Sequence, residues 1–323
     1  IHTIETLVLD VSENISDFIS NLNDWLGILK EVMKKISLDL VIPSYNAKYL
    51  LEKNLPKVKK WSPQIGKIIV VDDGGTDDTK EYLKKNYKNS VCLKNKKNSG
   101  FSVSVNKGFK ASDSDFVLLL NNDVYPTKPY LEKALKHFQD PKVFAVTLNE
   151  KNSSWPKVSW SKGKFQYTQG EDKTKVRHTP WASGGSAIFK KSIWDELGGL
   201  NEIYSPGYWE DIDIGWRAWK QGYKIIWEPD ATVVHQHESS FKKLDQNWLN
   251  LIKQRNELLF IWQNFSNPKY VLSHLWFLLS YTLTHPGFSK VIFAATKSLS
   301  QFKRIKNAKL SDTEVLKISN QLL

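Results

Sequence analysis

From Leu38 onward the chain alternates short apolar runs with amphipathic stretches, and that alternation leaves few folds open. Leu38–Ile42, Lys67–Val71, Ser90–Leu93 and Phe116–Leu120 have the length and β-branched content of buried strands. Between them, Lys48–Lys60, Thr76–Tyr87 and Ser102–Ala111 carry helical spacing, with a Thr cap expected at the start of the second. Such a series predicts an α/β fold: a Rossmann-like, mostly parallel sheet flanked by helices and built through right-handed crossovers. Lys128–Phe138 reads as a further helix and Val143–Leu148 as a further strand, whereas Glu150–Pro180 is polar and reads as an irregular excursion over the site. Ala187–Phe189, Ile193–Leu197, Glu210–Gln221 and Lys224–Trp227 resume regular structure, and Asn247–Phe265 is a long helix.

Two extensions flank this unit. Residues 14–36 place Ile15, Phe18, Leu22, Trp25, Leu29, Val32 and Ile36 at spacings of three and four, an amphipathic helix in an N-terminal extension over 1–37. The tail, 266–323, contains Tyr270–Ser289, which carries no Asp, Glu, Lys or Arg but is interrupted by Ser, Thr, His, Pro and Gly. It suits a helix lying in the headgroup zone of a membrane, or one packed on the protein's own core, better than a spanning helix. The central unit spans 38–265 in two halves, 38–125 and 126–265.

The 323 residues carry a formal charge of +12, which favours phosphate-bearing partners: nucleotides, anionic lipid or a diphosphate carrier. Lysine is dispersed and no nucleic-acid-binding module is legible, so nucleic acid is not the expected partner. The single cysteine, Cys92, excludes an internal disulfide and points to a reducing compartment. Residues 1–37 lack the basic start and apolar run of a secretory leader. The expected location is cytoplasmic, at the inner face of the membrane.

The chemistry collects at strand ends. Leu118-Leu-Leu-Asn-Asn-Asp123 is an apolar strand that delivers a carboxylate at its C-terminal end, where open α/β sheets bind ligands. The first strand ends in Pro43-Ser-Tyr45-Asn46, and the second in Asp72-Asp73-Gly-Gly-Thr, whose acidic pair suits a base N–H or ribose hydroxyls better than phosphate. Asn98-Ser-Gly100 and Asn106-Lys-Gly108 bring small and amide side chains to the next helix, and Gly184-Gly185 admits a close backbone approach. Trp209-Glu210-Asp211-Ile-Asp213 opens a helix. There Glu210, Asp213 and Arg217 share one face and are expected to form a structural ion pair, while Asp211 points elsewhere, its pKa lowered by the helix N-terminus. Trp209 reads either as a sugar-stacking ring or as core. His235-Gln-His237 follows, and Arg255-Asn256 reads as an exposed helix face or a phosphate contact.

In this order the motifs resemble the family 2 inverting glycosyltransferases of GT-A fold, most closely a bacterial branch that includes rhamnosyltransferases of surface-polysaccharide assembly. The resemblance covers roughly Leu38 to Phe265 and implies a nucleotide-binding half (38–125) and an acceptor and metal half (126–265). It implies hexosyl transfer from a UDP- or dTDP-linked sugar, with dTDP-rhamnose a leading guess, to a glycan or polyprenyl-linked glycan. It implies that Pro43, Tyr45 and Asn46 border the base, that Asp72 and Asp73 contact base and ribose, that Asn98 and Gly100 approach the donor, and that Asn122 lies by the ribose. Asp123 would hold Mn²⁺ or Mg²⁺ on the donor diphosphate, with His235 or His237 as a distal ligand. Asp211, with Glu210 beside it, would be the catalytic base, and Gly184, Gly185 and Trp209 would face the sugars. Asn121 and Asn122 depart from a full Asp-x-Asp, and Gly75 stands where many relatives have Ser. A non-catalytic sugar-nucleotide or glycan-binding protein of the same fold remains the alternative.

Overall fold

The computed structural model describes residues 37–151, 155–236 and 245–321. The amphipathic stretch 14–36 and His237 lie outside these residues.

The first half is a run of β-α units: β1 (Leu38–Ser44), α1 (Lys48–Trp61), β2 (Ile68–Asp72), α2 (Thr79–Asn86), β3 (Ser90–Lys94), α3 (Phe101–Lys110) and β4 (Phe116–Leu120). Every residue of β2 is buried, as are all but the first of β4, because helices cover both faces of this part of the sheet. Alternate residues therefore serve separate cores. Val41, Ile69, Val71 and Leu119 pack with Val105 and Phe109 of α3, whereas Leu40, Ile42, Val70 and Leu118 pack with Leu51 and Leu55 of α1. α2 starts three residues later than expected, since Thr76 donates its backbone N–H to Asn46 Oδ1 instead of capping a helix.

The second half comprises β5 (Val124–Pro126), α4 (Leu131–Leu135), β6 (Val143–Glu150), β7 (Pro156–Ser161), β8 (Lys164–Gln169) and β9 (Arg177–His178). Then follow β10 (Ser186–Lys190), α5 (Lys191–Glu196), α6 (Glu210–Lys220) and β11 (Lys224–His235). Among the described residues the main sheet runs β3-β2-β1-β4-β10-β6-β11-β5, with β9 also on β11. It is parallel from β3 to β4 and again between β6 and β11; β10 enters antiparallel between β4 and β6. The stretch expected to be irregular, Glu150–Pro180, instead holds the β7–β8 hairpin and β9.

Four helices close the chain: α7 (Gln246–Asn264), α8 (Pro268–Thr284), α9 (Ser289–Thr296) and α10 (Asp312–Ile318). Asp245 caps α7 through the backbone N–H groups of Asn247 and Trp248. The expected continuous helix through Ser289 breaks at His285, immediately before Pro286. Among the described residues no helix is long and apolar enough to cross a membrane.

Candidate active site

Sheet order brings the C-terminal ends of β1, β2 and β4 side by side. Tyr45 and Asn46 are exposed in the turn after β1, Pro43 is half-buried, and Asn122 Nδ2 reaches back to Ser44 Oγ at 3.2 Å. Asp72 Oδ1 accepts from the Gly75 N–H at 2.7 Å, and its other oxygen meets Lys94 Nζ at 3.3 Å. Asp73 holds the next loop: Oδ1 accepts from Ser99 N and Asn95 Nδ2, both at 2.8 Å, and Oδ2 from Gly100 N at 2.9 Å. The acidic pair thus has structural work that sequence reasoning did not supply. Asn98 is exposed on that loop and Gly100 is buried at its end.

The antiparallel pairing of β5 with β11 sets His235 opposite Val124, one residue past Asp123. His235 Nε2 lies 3.2 Å from Asp123 Oδ1, and Nδ1 lies 2.9 Å from Glu150 Oε2 at the end of β6. Glu150 Oε1 accepts in turn from Ser186 Oγ at 2.6 Å and Ser183 Oγ at 3.1 Å. Burial opposes a charged imidazole, but the bonds to both carboxylates outweigh it and lift His235 to about 9; burial likewise opposes the Glu150 anion, yet the His235 and serine bonds leave its pKa lowered. Glu150 was not among the residues expected in the site.

These groups fit a divalent cation. Two adjacent ligands on an octahedral ion with bonds of about 2.1 Å stand roughly 3 Å apart, close to the 3.2 Å between His235 Nε2 and Asp123 Oδ1. Glu150 on Nδ1 would then leave the Nε2 lone pair available, a carboxylate–histidine–metal relay. Among the described residues no group of three or more His, Cys, Asp or Glu side chains is arranged to hold a metal ion, so an ion between His235 and Asp123 would need its other ligands from outside the protein.

Across from this relay stands the head of α6, in which every residue except Asp211 is buried. Asp211 Oδ1 accepts from the Ile212 N–H at 2.9 Å, and Oδ2 lies 3.4 Å from the Gly184 N. A Cβ on Gly185 would come within 2.5 Å of Asn121 Nδ2 and 3.5 Å of His235, so the Gly184-Gly185 turn packs between the two groups. Asp211 borders two cavities. One of about 620 Å³ is lined also by Lys164, Tyr167, Trp181, Trp209 and Glu210; the other, about 430 Å³, by Glu150, Ser183 and Trp227 among others. Asp211 and Glu150 therefore share a cavity wall, while Asp123 and His235 stand behind Glu150.

Two expectations at α6 need correction. Burial raises the Asp211 pKa, outweighing its backbone hydrogen bonds at the helix N-terminus. Glu210 does not join Asp213 and Arg217: that pair closes at 2.7 Å, with Tyr204, Gln263 and Asn264 also on Asp213. Glu210 lines the larger cavity instead, its Oε2 buried and without a hydrogen-bond partner among the described residues. Trp209 borders that cavity and packs on Phe260 and Phe165.

Residues 39–198 match the family model described as glycosyl transferase family 2. These residues, just under half of the chain, form a glycosyl transferase family 2 domain. Proteins similar to the chain include the pre-mycofactocin glycosyltransferase of Mycobacterium tuberculosis, 27% identical over 186 residues, which cover 54% of this chain and 38% of that protein. The poly-beta-1,6-N-acetyl-D-glucosamine synthase of Staphylococcus aureus is 26% identical over 207 residues, covering 59% and 48%. The chain thus spans less than half the length of these relatives. The crystal structure of GalNAc-T7 with UDP, GalNAc and Mn²⁺ superimposes with a TM-score of 0.59 at 13% identity, covering 73% of this chain and 49% of that one. The fold of the chain is that GT-A arrangement.

Arg255 and Asn256 do not form an exposed helix face. Asn256 is fully buried and donates to the carbonyls of Tyr204, Gly207 and Tyr208 at 2.8, 3.0 and 2.9 Å, and Arg255 donates to Ser205 O at 2.7 Å. Together they clamp the loop that leads into Trp209 and Asp211. Their positions in the repeat of a long helix gave no sign of it.

Proposed function

We propose that this chain is an inverting glycosyltransferase that moves a sugar from a nucleoside-diphosphate donor to a hydroxyl of a glycan. One observation carries the reading: Asp211 sits where two cavities meet, held by backbone N–H groups, with Glu150 on the wall of one of them and His235 joining Glu150 to Asp123. On this reading Asp211 takes the proton of the acceptor hydroxyl, the freed oxygen bonds to the anomeric carbon, and the carbon–oxygen bond to the diphosphate breaks. The electron pair leaves with the nucleoside diphosphate. Attack opposite the leaving group inverts the anomeric centre. Asp123 and His235 would hold Mn²⁺ or Mg²⁺, which when bound would stabilise charge on the leaving diphosphate.

Pro43, Tyr45, Asn46 and Asn122 lie where the base and ribose would rest, with Asp73 fixing the loop above them. UDP in the GalNAc-T7 structure supports a uracil donor, while the sequence resemblance favours dTDP-rhamnose. A polysaccharide acceptor is supported by the relative named as a poly-beta-1,6-N-acetyl-D-glucosamine synthase; a polyprenyl-linked glycan at the inner face of the cell membrane is the acceptor form we favour.

A thermal-shift panel of UDP, dTDP and GDP, with and without Mn²⁺, tests the class and the base together. Metal-dependent stabilisation by UDP or dTDP is expected, of about 2.7 kcal/mol at a concentration a hundredfold above Kd. Asp211→Asn should keep that stabilisation and lose turnover by about 10³-fold or more, in keeping with removal of a general base. Silence across the whole panel, or a fully active Asp211→Asn protein, would overturn the proposal.

A further inference from the structure

We propose that the outer face of α8 and α9 docks on an anionic lipid bilayer. Along α8, Leu272, Leu275, Trp276, Leu279 and Leu283 recur at spacings of three and four and are 66, 55, 68, 56 and 76% exposed; Phe293 of α9 is 64% exposed. The opposite face carries Tyr270 and His274, which are buried. The helix therefore has an ordinary inner face and a second apolar stripe turned to solvent. Contiguous stripes of this kind mark interaction surfaces.

Charge identifies the occupant. From Pro268 to Ser311 there is no Asp or Glu, whereas seven lysines and arginines from Lys269 to Lys309 are all exposed. A second copy of the chain would set these like charges against each other. Anionic headgroups satisfy them, while the leucines enter the acyl boundary and Trp276 settles at the interface. The helix breaks at His285 and Pro286, so the apolar stripe is carried by two short helices, α8 and α9.

The docked element also touches the site. His274 Nδ1 donates to Gly163 O at 2.7 Å, and Trp160 Nε1 donates to Ser273 Oγ at 2.9 Å. Both partners belong to the β7–β8 hairpin, whose Lys164 and Tyr167 line the larger cavity beside Asp211. Resting on the glycosyl-transfer reading, this linkage ties the acceptor side of the site to the membrane surface and suits an acceptor carried on a lipid.

The test floats the full chain with vesicles of phosphatidylcholine alone or with about 30 mol % phosphatidylglycerol, at low salt and at about 0.5 M salt. Recovery with the anionic vesicles is expected, falling about tenfold or more at high salt and in the Leu272→Ser/Trp276→Ser/Leu279→Ser variant. Those side chains are exposed, so its melting temperature should not fall. The Lys290→Glu/Lys297→Glu/Lys303→Glu variant leaves the apolar stripe intact and should lose binding as well. A wild-type chain that ignores anionic vesicles, or variants that bind as it does, would overturn the proposal. So would a dimer that the apolar variant abolishes in a protein without vesicle binding, since the occupant would then be a second copy. Flotation needs neither donor nor turnover, so its failure is separate from failure of the glycosyl-transfer reading.

Discussion

Burial withholds solvation from an anion, and at the head of α6 it acts on two adjacent carboxyls at once. Asp211 retains hydrogen bonds to its charged form, from Ile212 and Gly184, whereas Oε2 of Glu210 has no such bond among the described residues and the carboxyl is pushed up to about 8 by burial and then by the charge of Asp211. The pair is thus poised with Asp211 more readily ionised and Glu210 holding a proton through neutral pH. The consequence for folding has a definite sign. Between the ordinary 4.5 and about 8 the unfolded chain has lost this proton and the folded chain keeps it, so the contribution is fully present at low pH and drains away as pH rises. Glu210→Gln should remove up to about 1.4 kcal/mol per pH unit of this slope and make the protein more stable than wild type near pH 8. Urea unfolding at pH 5 and pH 8 measures it; identical slopes in the two proteins would refute it. Glu150 shows how far such residues can be read in advance. It ends strand β6 as Asp123 ends the run of β4, so the same rule could have found it, but the polar stretch that follows had been read wholly as loop.

At the scale of elements, the Asp211 end of α6 is set by the loop before it, and that loop is set by α7. Asn256 sends its amide hydrogens to three carbonyls of this loop and accepts from Arg255 in return. Removing a buried donor leaves carbonyls unsatisfied at about 1–3 kcal/mol. Asn256→Ala should therefore destabilise the fold by about 2–3 kcal/mol and lower kcat by tenfold or so, with the UDP-induced thermal shift unchanged. A variant with normal kcat would show that the loop holds its place without the clamp. The strands and helices of the first half were legible because length, apolar run and punctuation agree there. The β7–β8 hairpin was not. Its two-residue turn, Lys162-Gly163, has positive φ at both positions, 50° and 74°, which is the backbone of a type I′ turn. Lysine is not the residue that usually announces such a turn, and Val158 and Phe165 are the hairpin's only fully buried apolar side chains among the described residues. Thr76 misled in the opposite way: a good capping residue found a partner in Asn46 before the helix began.

Over the whole molecule, strand order was the least legible feature, because a strand's pattern records which faces are buried and not which neighbour lies beside it. Nothing in Ser186–Lys190 announces that it runs antiparallel between β4 and β6. That insertion nonetheless places the Gly184-Gly185 turn against both Asp211 and the end of β4. A buried ion pair is among the ties that hold the C-terminal helices to the same framework. Lys220, at the far end of α6 from Asp211, meets Asp312 of α10 at 2.7 Å, and both side chains are buried. Asp312 also accepts the backbone N–H groups of Ser266 and Asn267, where α7 gives way to α8. One carboxylate thus joins three helices. Its removal would leave a buried ammonium and two amides without acceptors, so Asp312→Ala should cost about 3–5 kcal/mol, well beyond a surface ion pair. Asp312→Asn keeps one acceptor oxygen and should cost less. Lys220→Met, which removes the buried cation while the two amides still neutralise part of the carboxylate, should fall between them. In a double-mutant cycle, Lys220→Met with Asp312→Ala should then be less destabilising than the sum of the two single changes, because no charge is left stranded. Strict additivity in denaturant unfolding would mean that the ion pair contributes nothing and that the two backbone amides alone make the joint.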